Sequence, residues 1–204
     1  MTGNIETALT SIRTLRVNSG TATLRTRGWS RARFLGLFAL STVSVGLIGC
    51  ALTGPPLDTA DFVDVERYMG TWYEIARYPN NFEEGCEGVT ADYTLRDDGK
   101  VTVVNTCRDI ATGTVKDRIE GTASIVDETT NAKLKVTFFW PFAGDYWILE
   151  VGENYEYAVV GEPSRNFFWI LNRDPDMDDE LYNDILARMP EWGYDPARLM
   201  LTPQ

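Results

Sequence analysis

Short stretches in which apolar and polar residues alternate follow one another along the chain, with turn residues between them. The clearest alternation is at 132–139, where Leu134, Val136 and Phe138 are separated by polar residues. A period of two is the pattern of a half-buried β-strand. Together with the turn residues, such patterns predict eight strands, at 70–78, 88–96, 100–108, 115–126, 132–139, 145–151, 154–161 and 167–172. Many short strands of this kind indicate an all-β sandwich or barrel.

One stretch with helical spacing follows the last of these strands. Apolar residues recur every four positions from Leu181 to Met189, which places them on one face of a helix. Acidic residues favour the positive end of a helix, so the segment 174–176 is predicted to open it. Pro190 is predicted to end it, and a last short strand is predicted at 198–201.

The first 49 residues differ in character from the remainder. Six arginines and one acidic residue lie there, whereas the other 155 residues carry 13 basic and 29 acidic groups, a net charge of −16. The apolar run at 34–49 has 16 residues, fewer than the ~20 that cross a bilayer. A basic segment before such a run is typical of a secretory signal. The basic leader is long for a signal, which leaves open a translation start near Val17 or Leu24.

The four residues that end this run, Leu47-Ile48-Gly49-Cys50, resemble a bacterial lipobox. The resemblance implies a lipoprotein signal peptide at 1–49, lipidation of Cys50 and a lipidated tether at 50–61. Several acyl chains on one residue anchor a protein stably, whereas one chain does not. Ala51 stands where aspartate would signal retention at the inner membrane, so the periplasmic face of the outer membrane is expected. The alternatives are an ordinary signal peptide with a chance cysteine, or a retained signal anchor.

The motif Gly70-Thr71-Trp72-Tyr73-Glu74-Ile75-Ala76-Arg77 resembles the first conserved motif of the lipocalins. Arg173 matches the arginine that follows the last barrel strand in that family, and 154–158 matches its middle motif loosely. The resemblance covers essentially all of 62–204. It extends to bacterial outer-membrane lipocalins, apolipoprotein D and plant temperature-induced lipocalins.

The resemblance implies an eight-stranded antiparallel up-and-down β-barrel over 62–204, with one C-terminal α-helix packed outside. Such a barrel is just wide enough to hold one small ligand. In the family the motif tryptophan, here Trp72, plugs the closed end, and Arg173 crosses it. A guanidinium over an indole is a cation–π contact. Gly70, Trp72 and Arg173 are therefore the expected barrel-closing residues.

Alternation within the strands, combined with the resemblance, gives candidate contacts for an apolar ligand. They are Glu74, Leu134, Val136, Phe138, Trp140, Tyr146, Ile148, Tyr157 and Trp169. An apolar pocket with a few polar groups suits a lipid tail and its head. Glu74 is expected to face inward with Trp72, where its carboxyl either has a raised pKa or pairs with an arginine. The alternative is that these aromatic residues simply fill a packed barrel.

Cys86 precedes the predicted hairpin at 88–108, and Cys107 lies at the end of its second strand. With its turn at 97–99, Cys107 falls about opposite Val89, and a bend at Gly85 or Gly88 would bring Cys86 close to it. Because the periplasm is oxidising, we predict a Cys86–Cys107 disulfide. The alternative is two free thiols.

Composition removes several classes of function. The chain has no histidine, which excludes Ser-His-Asp and Cys-His catalysis and histidine-ligated metal or haem. No metal or cofactor is expected, and the acidic body disfavours nucleic acid. The resemblance implies a non-catalytic carrier of fatty acids, lysophospholipids or similar lipids that serves envelope maintenance or transport. A lipocalin-type enzyme and an interaction lipoprotein with a filled barrel are the alternatives, and a homodimer is compatible with the family.

Overall fold

The computed structural model describes residues 56–204, so the predictions for the signal peptide, Cys50 and most of the tether lie outside it. The strands are β1 (Gly70–Arg77), β2 (Glu87–Leu95), β3 (Val101–Arg108), β4 (Val115–Ile125), β5 (Lys133–Phe139), β6 (Phe142–Val151), β7 (Tyr157–Gly161), β8 (Phe168–Asn172) and β9 (Met200–Leu201). The helices are α1 (Val65–Tyr68) and α2 (Asp179–Arg188), and two 3₁₀ turns cover Met189–Trp192 and Pro196–Arg198. Within these residues no helix has the length and apolar character needed to cross a bilayer.

The first eight strands form a closed antiparallel barrel, which confirms the predicted fold. Each strand from β2 to β7 pairs with the next along the chain, and β1 closes the ring by pairing with both β2 and β8. Gly70 lies opposite Tyr93 on one side, and Tyr73 lies opposite Asn172 on the other. Closure leaves neither β1 nor β8 as a free edge. The end where β1 begins carries α1 and is called the closed end here; the other end is called the mouth.

A β-bulge in β1 changes which of its side chains face inward. Glu74 lies opposite Leu171, whereas Ala76 lies opposite Ile170, so Ile75 is the extra residue. In a regular strand, residues three apart point to opposite faces. The bulge instead places both Glu74 and Arg77 on the inner face.

The C-terminal segment completes the barrel near the mouth. Strand β9 pairs with Ala76 and Arg77. Beyond it, Thr202 N donates to Ile75 O at 2.9 Å, and Gly88 N donates to Pro203 O at 2.7 Å. The segment therefore bridges β1 and β2 where those two strands have separated, and it brings the Thr202 side chain to the inner face.

Helix α2 packs on the outside, as predicted. Its Ile185 and the following Met189 are fully buried against outer-face residues such as Phe168 and Ile170. The helix begins later than the sequence indicated, because the Asp178 carboxylate accepts from the backbone N–H groups two and three residues on, both at 3.0 Å. A side chain that caps these free N–H groups sets the helix start.

The predicted disulfide between Cys86 and Cys107 is present. The ladder between β2 and β3 shifts register between Glu87 and Thr90, and Gly88 has a φ of 49°. This irregularity is the bend, expected from the sequence at Gly85 or Gly88, that brings Cys86 close to Cys107. Because Cys86 directly precedes β2 and Cys107 is the penultimate residue of β3, the bond ties the mouth end of β3 to the segment that enters β2.

Candidate functional site

The closed end is sealed by Trp72 and Arg173. The Trp72 ring is fully buried, and the Arg173 guanidinium carbon lies 3.8 Å from the ring centre. Arg173 also donates to the carbonyls of Arg67, Met69 and Thr71 at 2.8–2.9 Å. One side chain thus ties helix α1 and the start of β1 together.

Gly70 is required at this closed end by its geometry. Its φ is 95°, in the left-handed region, and a Cβ there would lie 3.3 Å from an Arg173 guanidinium nitrogen. Only glycine adopts this backbone conformation without strain. The structure therefore brings the three expected barrel-closing residues together.

Above Trp72, three tyrosines fill the lower half of the barrel. The Tyr146 hydroxyl bonds to those of Tyr68 and Tyr93, at 2.8 and 2.9 Å. Burial raises the pKa of all three phenols, so they remain protonated. The remaining cavity, lined in part by Leu134 and Ile148, is about 20 Å³. That is room for one water molecule and not for an acyl chain.

The upper half of the inner face is more open. The buried apolar residues inside the barrel, such as Ala158, form an inner cluster. Val136, Phe138 and Trp169 pack against this inner cluster but are only half-buried. The Phe138 ring lies over Gly121, where a Cβ would approach it to 2.7 Å. A side chain at position 121 would therefore push this ring from its place on the inner wall.

A buried polar group lies on the β1 side of this upper half. One terminal nitrogen of Arg77 donates to Glu74 Oε1 and to Thr202 Oγ1, each at 2.7 Å, and the other donates to Glu83 O at 2.8 Å. Thr202 in turn donates to Glu74. Arg77 Nε lies 3.6 Å from Glu83 Oε2. Glu74 therefore lies on the inner face and pairs with an arginine.

The Glu74 carboxyl also has a shifted pKa. Burial away from water is the main cause, and repulsion from Glu83 adds to it. The bonds from Thr202 and Arg77 act in the opposite direction, and the pKa is raised to about 7. Two carboxylates beside one guanidinium thus leave a negative charge that the barrel interior tolerates poorly.

We expect the raised pKa of Glu74 to make the stability of the protein depend on pH. Glu74 has a higher pKa when folded than when unfolded, so the protein gains protons on folding. Its contribution is full below about pH 4.5 and is lost as the pH rises towards 7. As the pH is raised from 5.5 to 8, the midpoint of urea unfolding of the wild type should move to a lower urea concentration. The same change should be smaller in Glu74→Gln. An equal slope in both proteins would contradict the shift.

Two candidate ligand contacts lie outside the barrel interior. Trp140 is 88% exposed at the tip of the β5–β6 hairpin, beside the exposed Phe139 and Phe142. Tyr157 lies on the outer face, because its neighbour Ala158 belongs to the inner cluster and successive strand residues alternate. We therefore omit Trp140 and Tyr157 from the ligand contacts proposed below.

The outer position of Tyr157 has a clear structural role. Its hydroxyl donates to Glu150, and Glu150 also accepts from Arg188 of helix α2 at 2.8 Å. Tyr157 therefore helps to hold the helix on the barrel wall.

Arg77, Glu83 and Thr202 were not predicted as site residues from the sequence. Arg77 stands in the recognised motif, but its spacing of three from Glu74 indicates the opposite face of a strand unless the bulge is known. Thr202 is 125 residues from Arg77 in the chain, and no local pattern connects them. The pairing of the three tyrosine hydroxyls was likewise not foreseen.

Comparison with known proteins agrees with this architecture. A family model described as a lipocalin-like domain matches residues 63–204. The outer membrane lipoprotein Blc of Escherichia coli (strain K12) is 38% identical over 174 residues, covering 84% of this chain and 98% of that protein. Temperature-induced lipocalin-1 of Arabidopsis thaliana is 39% identical over 151 residues, covering 70% of this chain and 80% of that protein.

Apolipoprotein D of Macaca fascicularis is 33% identical over 186 residues, covering 82% of this chain and 95% of that protein. Among solved structures, insecticyanin from the tobacco hornworm Manduca sexta superposes with a TM-score of 0.60 at 20% identity, covering 74% of this chain and 85% of that one. The latter likeness concerns the fold alone. With the family model matched over the whole barrel and with these sequence relatives, the chain belongs to the lipocalin family.

Proposed function

We propose that this lipocalin is a lipid-anchored carrier at the periplasmic face of the outer membrane, where it binds fatty acids, lysophospholipids or similar single-chain lipids. Membership of the family supports a binder of small hydrophobic molecules, and its Blc relatives are named outer membrane lipoproteins. The observation that carries the proposal is the half-buried apolar inner face of the upper barrel.

The tail of the ligand would lie in this upper half. Val136 and Phe138 of β5 supply its apolar wall on one side, and Trp169 lies on the other side, on the strand that pairs with β1 and Glu74. Tyr146 forms the floor, because its hydroxyl closes the tyrosine group below. Leu134 and Ile148 lie beneath that floor and support it. Apolar walls with few polar groups are typical of lipid sites.

The proposal is tested with the fragment 51–204, titrated with a single-chain lipid after delipidation. The closed barrel, both hydrophobic clusters and the disulfide all lie within 56–204, so this fragment folds without the leader. Native mass spectrometry should show one lipid bound per chain. Absence of any bound lipid would contradict the carrier function.

A matched pair of variants locates the bound lipid. Val136→Asn places an amide on the inner face, whereas Thr137→Asn places the same amide on the outer face of the same strand. A buried amide without partners costs about 1–3 kcal/mol, so Val136→Asn should weaken lipid binding roughly tenfold and Thr137→Asn should leave it unchanged. Equal effects would place the lipid elsewhere.

An interaction lipoprotein with a filled barrel is the second candidate, favoured by the tyrosine-filled lower half and its cavity of about 20 Å³. The same titration separates it from the carrier, since a filled barrel takes up no lipid. We propose no catalytic role. A catalytic thiolate within the described residues would need Cys86 or Cys107, and these two are joined in a disulfide.

A further inference from the structure

The Arg77 guanidinium is incompletely satisfied although it is deeply buried. Only 2% of Arg77 is exposed, and its Nε has no hydrogen-bond partner in the described part of the chain. Glu83 Oε2 lies 3.6 Å from this nitrogen, beyond the range of a hydrogen bond. A buried donor without an acceptor is costly, so this atom is suited to an acceptor that is absent from the protein itself.

Glu83 belongs to the loop between β1 and β2 at the mouth, and its buried carboxylate faces Arg77 Nε without a hydrogen bond to it. Besides Arg77 Nε, it meets the indole nitrogen of Trp169 at a long 3.3 Å. It also accepts from Asn80 of its own loop. The backbone carbonyl of Glu83 separately accepts from Arg77 at 2.8 Å. Rotation of this side chain towards solvent would break the bond from Asn80, but the loop would stay attached to Arg77 through the Glu83 carbonyl.

Exchange of this carboxylate for another anion would keep the charge of the interior constant. Arg77 now faces two carboxylates, Glu74 and Glu83. If a ligand anion replaced Glu83, the guanidinium would again face two anions, and the displaced Glu83 would regain its hydration at the mouth. Hydration of a free carboxylate is strongly favourable, which offsets the cost of burying the ligand's charge.

The position of Arg77 suits the head of a lipid. In an eight-stranded ring, β1 and β5 lie on opposite sides of the hollow. Arg77 is on β1 beside Trp169 of β8, and Val136 and Phe138 are on β5. A molecule with an anionic head at Arg77 would therefore extend its chain across the hollow to the apolar wall. Trp169 stacks on Phe167, which contacts Phe82 at the rim, so aromatic rings line the way in.

We propose that Arg77 Nε and the Trp169 indole N–H form the recognition site for the anionic head of the bound lipid, a carboxylate or a phosphate, and that Glu83 is an internal occupant that the ligand displaces. This inference rests on the proposed carrier function and specifies the chemistry of its ligand. Arg77, Trp169 and Glu83 then determine which lipid heads bind. Removal of the Glu83 charge removes the group that competes with the lipid head for Arg77 and Trp169.

The test measures lipid affinity of the 51–204 fragment by quenching of tryptophan fluorescence. The probes are oleate, lysophosphatidylglycerol and the uncharged monoolein. Glu83→Gln should bind both anionic lipids about tenfold more tightly than the wild type, the size of one charge-assisted hydrogen bond, and should bind monoolein equally well. Glu84→Gln, an exposed neighbour in the same loop, changes the net charge identically and should alter nothing.

The binding of the three lipids by the wild type, Glu83→Gln and Glu84→Gln separates the possible outcomes. Unchanged or weaker binding of both anions by Glu83→Gln would overturn the head site, as would equal gains in Glu83→Gln and Glu84→Gln. A gain for oleate alone identifies the head as a carboxylate, and a gain for lysophosphatidylglycerol alone identifies it as a phosphate. Equal binding of all three lipids in every protein would retain the carrier and remove the head site. No binding of any lipid would remove both.

A second variant keeps the test decisive if Glu83→Gln disturbs the loop. Arg77→Lys retains a positive charge but lacks the Nε donor, so it should lose about tenfold in affinity for the anionic lipids and little for monoolein. Circular dichroism and thermal unfolding check that the barrel is intact. A folded Arg77→Lys that binds all three lipids as the wild type does would overturn the role of Nε.

Discussion

Replacement of Trp72 by alanine is expected to destabilise the barrel by roughly 3–5 kcal/mol, the usual range for a fully buried tryptophan. The ring is fully buried, its indole nitrogen donates to Tyr68 O at 2.8 Å, and the Arg173 guanidinium lies over it. The variant would lose all of these contacts and leave a cavity beneath Tyr68. The expected fall in melting temperature is roughly 6–20 °C for a domain of this size.

Urea unfolding followed by tryptophan fluorescence and circular dichroism measures this loss. Trp140→Ala is the matched control, because it removes the same side chain where it is 88% exposed, and its effect should stay within about 0.5 kcal/mol. If Trp72→Ala and Trp140→Ala lowered the free energy of unfolding equally, the plug at the closed end would not stabilise the barrel.

Arg77→Met is expected to destabilise the protein by roughly 3–5 kcal/mol at pH 8, because it leaves two buried carboxylates without a cation. Glu74 and Glu83 would then have to take up protons or face water. Loss of the cation raises the folded-state pKa of Glu74 further above its unfolded value, because Arg77 is one of the groups that lower it. The deficit should therefore grow as the pH rises and shrink towards pH 5, where protonation removes the charge.

The control for this prediction is Arg188→Met. Arg188 pairs with Glu150 at 2.8 Å, but both side chains are about one-quarter to one-third exposed. Water and salt screen such a pair, so its loss should cost less than about 1 kcal/mol. Denaturation curves of both variants at pH 5.5 and pH 8 would check the pattern. A deficit in Arg77→Met that is small, or independent of pH, would mean that the interior tolerates both charges unpaired.

The sequence predicted the barrel well because its strands carry local signals. Alternation located all eight strands to within a few residues, and the Gly-x-Trp motif with Arg173 identified the family and the closed end. The prediction of β6 began three residues late, at 145, because 142–144 lie in an exposed hairpin and show no inward–outward alternation. Helix α1 was missed because four residues are too few to show a helical period.

The site was harder to predict than the fold. The inner or outer position of a side chain depends on bulges, and the one at Ile75 reverses the parity of Arg77. Thr202 and Glu83 reach Arg77 from the C-terminal segment and from a loop, where no periodicity exists. Tyr157 was placed inside because the start of β7 could not be located precisely, and an error of one residue exchanges the two faces of a strand.

The proposed carrier function requires that the upper half of this barrel hold hydrocarbon. The most direct test is a crystal structure of the 51–204 fragment with a fatty acid brominated near the end of its chain. We predict anomalous bromine signal inside the barrel, among Val136, Phe138 and Tyr146, with the lipid head towards Arg77. Bromine found only on the outer face of the barrel or at the exposed β5–β6 hairpin, with no room inside the barrel, would contradict binding of hydrocarbon in its upper half.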